Sequence, residues 1–132
     1  MGMPKYADRH AKAGLKAKLP PLECWANQYP GYEVTIEIPE FTSVCPRTGL
    51  PDFGLIQIRY LPKRWCVELK SLKLYINGFR NVGVFQENAV NRILTDFVAV
   101  VKPSWAAVTG EFAPRGGIKT IIESHYPKRR GS

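Results

Sequence analysis

Histidine is scarce in this chain. Only two occur, His10 and His125, and both lie toward the ends. That leaves little material for a zinc site built from His and Cys, or for a Ser-His-Asp triad. Cysteine is sparse too. Cys24, Cys45 and Cys66 are odd in number and form no CxxC pair. This argues against a disulfide framework and for a reducing cytoplasm. No apolar run is long enough to cross a bilayer, and the first twenty residues hold no apolar core of the signal-peptide kind. No GxGxxG follows a strand-like run, so a Rossmann dinucleotide site is not indicated.

What is present suits one soluble domain. A length of 132 residues allows a single modest core, so oligomerisation is expected. Hydrophobic content of 45% and charged content of 23% are ordinary for a globular protein. The net charge of +8 favours anionic partners, either nucleic acid or a phosphorylated small molecule. Much of that charge sits at the ends, in Lys5, Arg9, Lys12, Lys16 and Lys18, then Lys128, Arg129 and Arg130. There it reads more simply as solvation of tails. Residues 1–21 are expected to be a loosely ordered basic arm, 22–123 the folded domain, and 124–132 a basic tail.

Residues 32–38 alternate, with Val34, Ile36 and Ile38 on one side and Glu33, Thr35 and Glu37 on the other. This predicts a half-buried strand. A second strand is expected over 55–60, paired with the first. Leu69, Leu72 and Ile76 recur at helical spacing and predict a short helix ending near Gly78. Val90, Ile93, Leu94, Phe97, Val98 and Val101 form a longer stripe over 85–101, which Pro103 closes. Strands over 105–112 and 118–123 complete the chain, with Gly116-Gly117 supplying positive φ in the turn between them. Strand, strand, helix, helix, strand, strand predicts an α+β fold: a four-stranded antiparallel sheet with both helices on one face. Such a sheet has two open edges, which invite neighbours.

One stretch carries chemistry. FTSVCPRTGLPDFG, residues 41–54, sets Cys45 and Asp52 seven apart, with Pro46, Gly49 and Pro51 shaping turns between them. A thiol and a carboxyl on one stiff loop can meet over a substrate. The plainer alternative is a small buried hydrophobe and a turn residue.

VCPRTGLPDF, VELKSLKLY, FRNVGVFQE and FAPRGGI, in that order, resemble the motifs of the QueF-type nitrile reductases. These are the NADPH-dependent 7-cyano-7-deazaguanine reductases of queuosine biosynthesis. The resemblance spans residues 32–118. It implies a tunnelling fold, in which ββααββ subunits close into a β-barrel and two pentameric rings pair as a decamer. It implies a cytoplasmic enzyme, part of tRNA modification, that needs neither a metal nor direct contact with nucleic acid.

The resemblance also implies roles. Cys45 matches the nucleophile that attacks the nitrile carbon and forms a covalent thioimide. Asp52 matches the proton donor. Glu87 matches the carboxylate that accepts two neighbouring donors of the substrate's guanine-like ring. By itself a carboxylate there is also a dipole-favoured helix start. Gln86 departs from the family, where His is common, and cannot exchange a proton near neutrality. Val67, Glu68 and Leu69 match a substrate-contacting segment, acting largely through backbone groups. Lys70 and Lys73 match the NADPH motif, with Arg115 as a further candidate. An ordinary solvated helix face is the alternative for the lysines. Two alternatives remain: another purine or pterin enzyme of the same fold, for which the zinc-ligating His residues are lacking between His10 and His125, and a small basic RNA-binding protein.

Overall fold

The computed structural model describes residues 8–128. Lys5, Arg129 and Arg130 lie outside them. The elements are α1 (Asp8–Ala11), β1 (Cys24–Ala26), β2 (Val34–Val44), β3 (Pro51–Leu61), β4 (Trp65–Val67), α2 (Leu69–Asn77), a 3-10 turn (Gly78–Asn81), α3 (Gln86–Val101), β5 (Trp105–Arg115) and β6 (Ile118–Tyr126). The main sheet has the order β2-β3-β5-β6. Every neighbouring pair is antiparallel, and β2 and β6 are its edges. The α+β architecture is as expected.

Alternation sets the two faces of the sheet. Ile56, Ile58 and Tyr60 of β3 are buried toward the helices, as are Val108 and Phe112 of β5. Against them α3 lays Val90, Ile93, Leu94, Phe97 and Val101. At Gly110 an added Cβ would stand 2.6 Å from Val90 Cγ2, so glycine is what lets α3 lie this close. Aromatic rings fill the rest of the layer. Phe41 meets Phe79 at 5.4 Å, and Tyr60 meets Phe97 at 4.9 Å, in tilted and edge-on arrangements. Lys102 ends α3 in the left-handed region, with its N–H on Val98 O, and Pro103 follows. The β5–β6 turn has φ of 57° at Gly116 and 81° at Gly117, a tight hairpin turn as the sequence predicts.

The structure departs from the sequence reading in four places. The stretch 41–54 is not one loop. Strand pairing continues through Ser43↔Asp52 to Val44↔Pro51, so only six residues, 45–50, connect the strands, and Asp52 sits on β3. Leu69 does not join the apolar stripe of α2; it opens the helix and is 62% exposed, while Leu72, Tyr75 and Ile76 face inward. A two-stranded ladder, β1 with β4, pairs Cys24 with Val67 and Ala26 with Trp65. Three-residue strands leave no periodicity to read. Lastly, the N-terminal segment is bonded to the domain from Ala11 onward. Asn88 Nδ2 donates to Ala11 O at 2.6 Å, and Arg92 Nη1 donates to Gly14 O at 2.7 Å.

Candidate active site

Cys45 follows the last residue of β2 and opens a tight turn. Its N–H donates to Leu50 O, and Gly49 N–H donates back to Cys45 O, both at 2.9 Å. Gly49 has a φ of 73°, which glycine tolerates without strain. The thiol is partly buried, and burial raises its pKa. The Thr48 hydroxyl and the N–H groups of Thr48 and Arg47 donate to the sulfur and outweigh burial, so the net direction is down. The Asp52 carboxylate is close enough to push the other way. Thr48 was not singled out in the sequence. The signal it left is a hydroxyl three residues after a cysteine in a turn.

Asp52 shares the inward face of β3 with Ile56 and Ile58. It is 5% exposed. Arg115 places Nη1 3.3 Å from Asp52 Oδ1, and Nη2 donates to Pro51 O at 3.0 Å. The 3.3 Å approach is an ion pair but not a hydrogen bond, since Oδ1 receives none. Beside it, the buried Ser43 hydroxyl also has no hydrogen-bond partner among the described residues. This end of the sheet therefore holds a hydrogen-bonded thiol, a buried carboxylate, an orphaned hydroxyl and a cation.

A second limb reaches the same end. Val44 N–H donates to Val82 O at 3.0 Å, and Val84 N–H donates to Val44 O at 2.9 Å. This short parallel bridge holds residues 82–84 next to Cys45. Three residues on, Gln86 and Glu87 open α3, with Glu87 exposed in its first turn. Cys45, Asp52, Gln86 and Glu87 are thus gathered at one end of the subunit.

Val67, Glu68 and Leu69 are not. Val67 N–H donates to Tyr60 Oη at 3.1 Å, so this segment sits by the far end of β3. Asp52 and Tyr60 are eight strand residues apart, roughly 26 Å at about 3.3 Å per residue. Glu68 caps α2, its carboxylate accepting from Lys70 N at 2.9 Å and Ser71 N at 2.7 Å. Those two bonds hold its carboxyl below the usual range. Glu68 N–H donates to Glu23 O at 2.9 Å. The Val67 and Glu68 backbone donors expected for substrate are therefore engaged within the subunit.

The three cofactor candidates are also apart. Lys70 lines a cleft with Glu23, Glu68 and Leu74. Lys73 lines a groove of about 460 Å³ between α2 and the edge strand β2, floored by Ile36, Leu72 and Ile76. Arg115 lies on Asp52. Arg80, which the sequence reading passed over, lines the Lys73 groove. An apolar floor under two cations suits a nicotinamide dinucleotide, although Glu37 and Glu40 also border it. The other cysteines stay clear of this chemistry: Cys66 is buried, and its sulfur lies 3.2 Å from Tyr32 Oη. Among the described residues, no three His, Cys, Asp or Glu side chains cluster as metal ligands, and no helix is long and apolar enough to cross a membrane.

Comparison with known proteins gives consistent matches. The family profile described as QueF-like protein fits residues 51–131. Asp52, Glu68, Glu87 and Arg115 fall within that span, whereas Cys45 precedes it. A protein of Elusimicrobium minutum named NADPH-dependent 7-cyano-7-deazaguanine reductase is 54% identical over 125 residues, 94% of this chain and 95% of that one. A protein of the same name from Chloroherpeton thalassium is 55% identical over 107 residues, covering 80% and 92%. Among solved structures, an archaeosine synthase QueF-Like in the apo form superposes with a TM-score of 0.68 at 19% identity, over 74% of this chain and 95% of that one. At that identity the likeness is one of fold.

Proposed function

The chain belongs to the QueF-like family, and on that premise we propose that it reduces 7-cyano-7-deazaguanine to the aminomethyl base with two NADPH, a step of queuosine biosynthesis in the cytoplasm. The observation that carries this is the pairing, at one sheet end, of the hydrogen-bonded Cys45 thiol with the buried Asp52 carboxyl.

Cys45 attacks the nitrile carbon as a thiolate, forming a C–S bond as one C–N π bond opens. Asp52 gives a proton to the nitrogen, which leaves a neutral thioimide. NADPH, when bound, supplies hydride to carbon, one per molecule. After the first hydride the nitrogen takes a second proton, from Asp52 recharged by solvent; its lone pair then expels the thiolate to leave an iminium, and the Thr48 hydroxyl with its neighbouring N–H groups receives the returning negative charge on sulfur. Glu87 accepts hydrogen bonds from the ring N–H and exocyclic amine of the base. Gln86 adds a neutral hydrogen bond and moves no proton. Lys73 and Arg80 would hold the cofactor's phosphates, with Lys70 lining the neighbouring cleft.

The site spans two subunits. Val67 sits by Tyr60, roughly 26 Å along β3 from Asp52 in one chain, so the Val67–Leu69 segment and Asp52 of one subunit do not meet over one base. Joining β6 of one copy to β2 of the next would cover both open edges and bring the Val67–Leu69 segment of a neighbour to the site. A decamer of two five-membered rings is the assembly we propose.

The test is intact-protein mass spectrometry after mixing with 7-cyano-7-deazaguanine and no NADPH. A gain of one substrate mass, absent in Cys45→Ala, is expected, and NADPH should then discharge it. A folded protein that gains no mass and binds no substrate would overturn the proposal. Tight RNA binding with a steep salt dependence would then favour the RNA-binding alternative.

A further inference from the structure

The N-terminal segment contacts the domain at a chosen set of places. Its first anchor is Ala11 O, which accepts from Asn88, the residue after Glu87. Its second is Gly14, at a φ of 80°. A Cβ there would stand 2.6 Å from both Gly83 O and Val84 Cβ, so the strand of backbone at Gly14 lies directly on the bridge that holds Cys45. On the other side of that bridge, a Cβ at Gly83 would meet Pro46 Cα at 3.6 Å. Only one layer of backbone, residues 82–84, separates Gly14 from the Cys45 turn.

The grip on Gly14 is itself held. Arg92 donates Nη1 to Gly14 O at 2.7 Å and Nε to Asp96 Oδ2 at 3.1 Å. Asp96 Oδ2 also accepts from Tyr75 Oη at 2.6 Å. Arg92 is only 13% exposed at its side chain, with its fork held between Asp96 and Gly14 O. Beyond Gly14 the segment passes over the 3-10 turn. A Cβ at Gly78 would be 2.9 Å from Leu19 Cδ2 and Pro20 Cδ. The path ends with Glu23 N–H on Ser71 Oγ at 2.9 Å, in the first turn of α2.

We propose that residues 11–20 are a positioning strap for the catalytic centre, in which Gly14, gripped by Arg92, fixes the 82–84 bridge and through it the Cys45 turn and the Glu87 end of α3. This rests on the reading of Cys45 as nucleophile and Glu87 as substrate anchor. Gly14 and Arg92 touch no reactant. They act by setting the distance between the thiol and the substrate anchor, where a misplacement of about 1 Å can cost about 10²-fold in rate.

The strap is tested in the full chain with Gly14→Val and, separately, Arg92→Ala. Valine cannot take positive φ without strain and would strike Gly83 and Val84. The expected result is a kcat at least about tenfold lower, a raised KM for 7-cyano-7-deazaguanine, and a shifted pH profile for Cys45 alkylation by iodoacetamide, resolved by peptide mass spectrometry. Arg92→Ala should do the same without backbone strain, so it decides the matter if Gly14→Val fails to fold. Variants whose Tm falls while kcat, KM and the alkylation profile stay at wild-type values would overturn the strap. The alkylation arm needs no nitrile. A wild-type protein that forms no nitrile adduct would overturn the function, while a shifted alkylation profile would still support the strap.

Discussion

Replacing Thr48 by valine isolates the group that most favours a Cys45 thiolate. Burial pushes this thiol up; the Thr48 hydroxyl and two backbone N–H groups bring it down. A hydrogen bond to a charged partner contributes about 1.5–3 kcal/mol, and one between neutral partners about 0.5–1.5. The difference, about 1 kcal/mol, is the preference for thiolate that the hydroxyl supplies, or about fivefold in the ionised fraction. The sign follows from that. Without Thr48 Oγ1, the alkylation profile of Cys45 moves to higher pH. Near neutrality the rate falls about fivefold, and at high pH the two proteins converge because both thiols are then ionised. Iodoacetamide rates across pH, read on the Cys45 peptide, measure it. Thr48→Ser keeps the hydroxyl and should follow wild type. Thr48 also accepts from Leu50 N–H at 3.2 Å, a bond that serine preserves. Superimposable profiles for Thr48→Val and wild type would refute the reasoning.

Three further outcomes follow from the geometry. Asp52→Asn keeps the shape beside Arg115 but removes the acid; single-turnover reduction should slow by about 10²–10⁴ with substrate binding retained, and an unchanged rate would assign the proton elsewhere. Cys45→Ala and Glu68→Pro, the latter disrupting the backbone of the Val67–Leu69 segment, should each be inactive, yet regain activity when subunits are mixed, with about one quarter of sites intact in a random equal mixture of a ring that shares each site; no recovery would confine the site to one chain. Arg80→Ala should raise the NADPH dissociation constant at least about tenfold, the loss of about 1.5 kcal/mol from one charged contact, by fluorescence titration with no nitrile present; unchanged affinity would remove Arg80 from the groove's function.

Where the chain alternates or repeats, its structure was readable. Val34, Ile36 and Ile38 marked β2, and the apolar stripe marked α3 to within a residue or so. Gly116-Gly117 marked a turn that only positive φ satisfies. Legibility failed where the determinant was not periodic. The fourteen residues 41–54 read as one loop because no alternation flanks Pro46, Gly49 and Pro51 closely, while tertiary pairing of Ser43 with Asp52 narrows the actual connection to six. The motifs named candidate residues but carried no distances. Arg115 and the two lysines read as one cofactor set; the hairpin turns Arg115 onto Asp52 instead. The N-terminal segment was hidden for a different reason. Its composition is that of a solvated tail, and its anchors are backbone carbonyls and a missing Cβ, which composition does not record.

That segment also fixes an order of events during synthesis. Its bonds to Asn88 and Arg92 span 77 and 78 residues. It is synthesised well before α3, the helix that receives it. At about 5–20 residues per second, the interval is roughly 4–16 s. Throughout that interval residues 11–20 must stay unengaged, and their lysines keep such a waiting chain soluble. A segment made before α3 is thus placed only once α3 exists, and β5, which brings Arg115 to Asp52, is made after both.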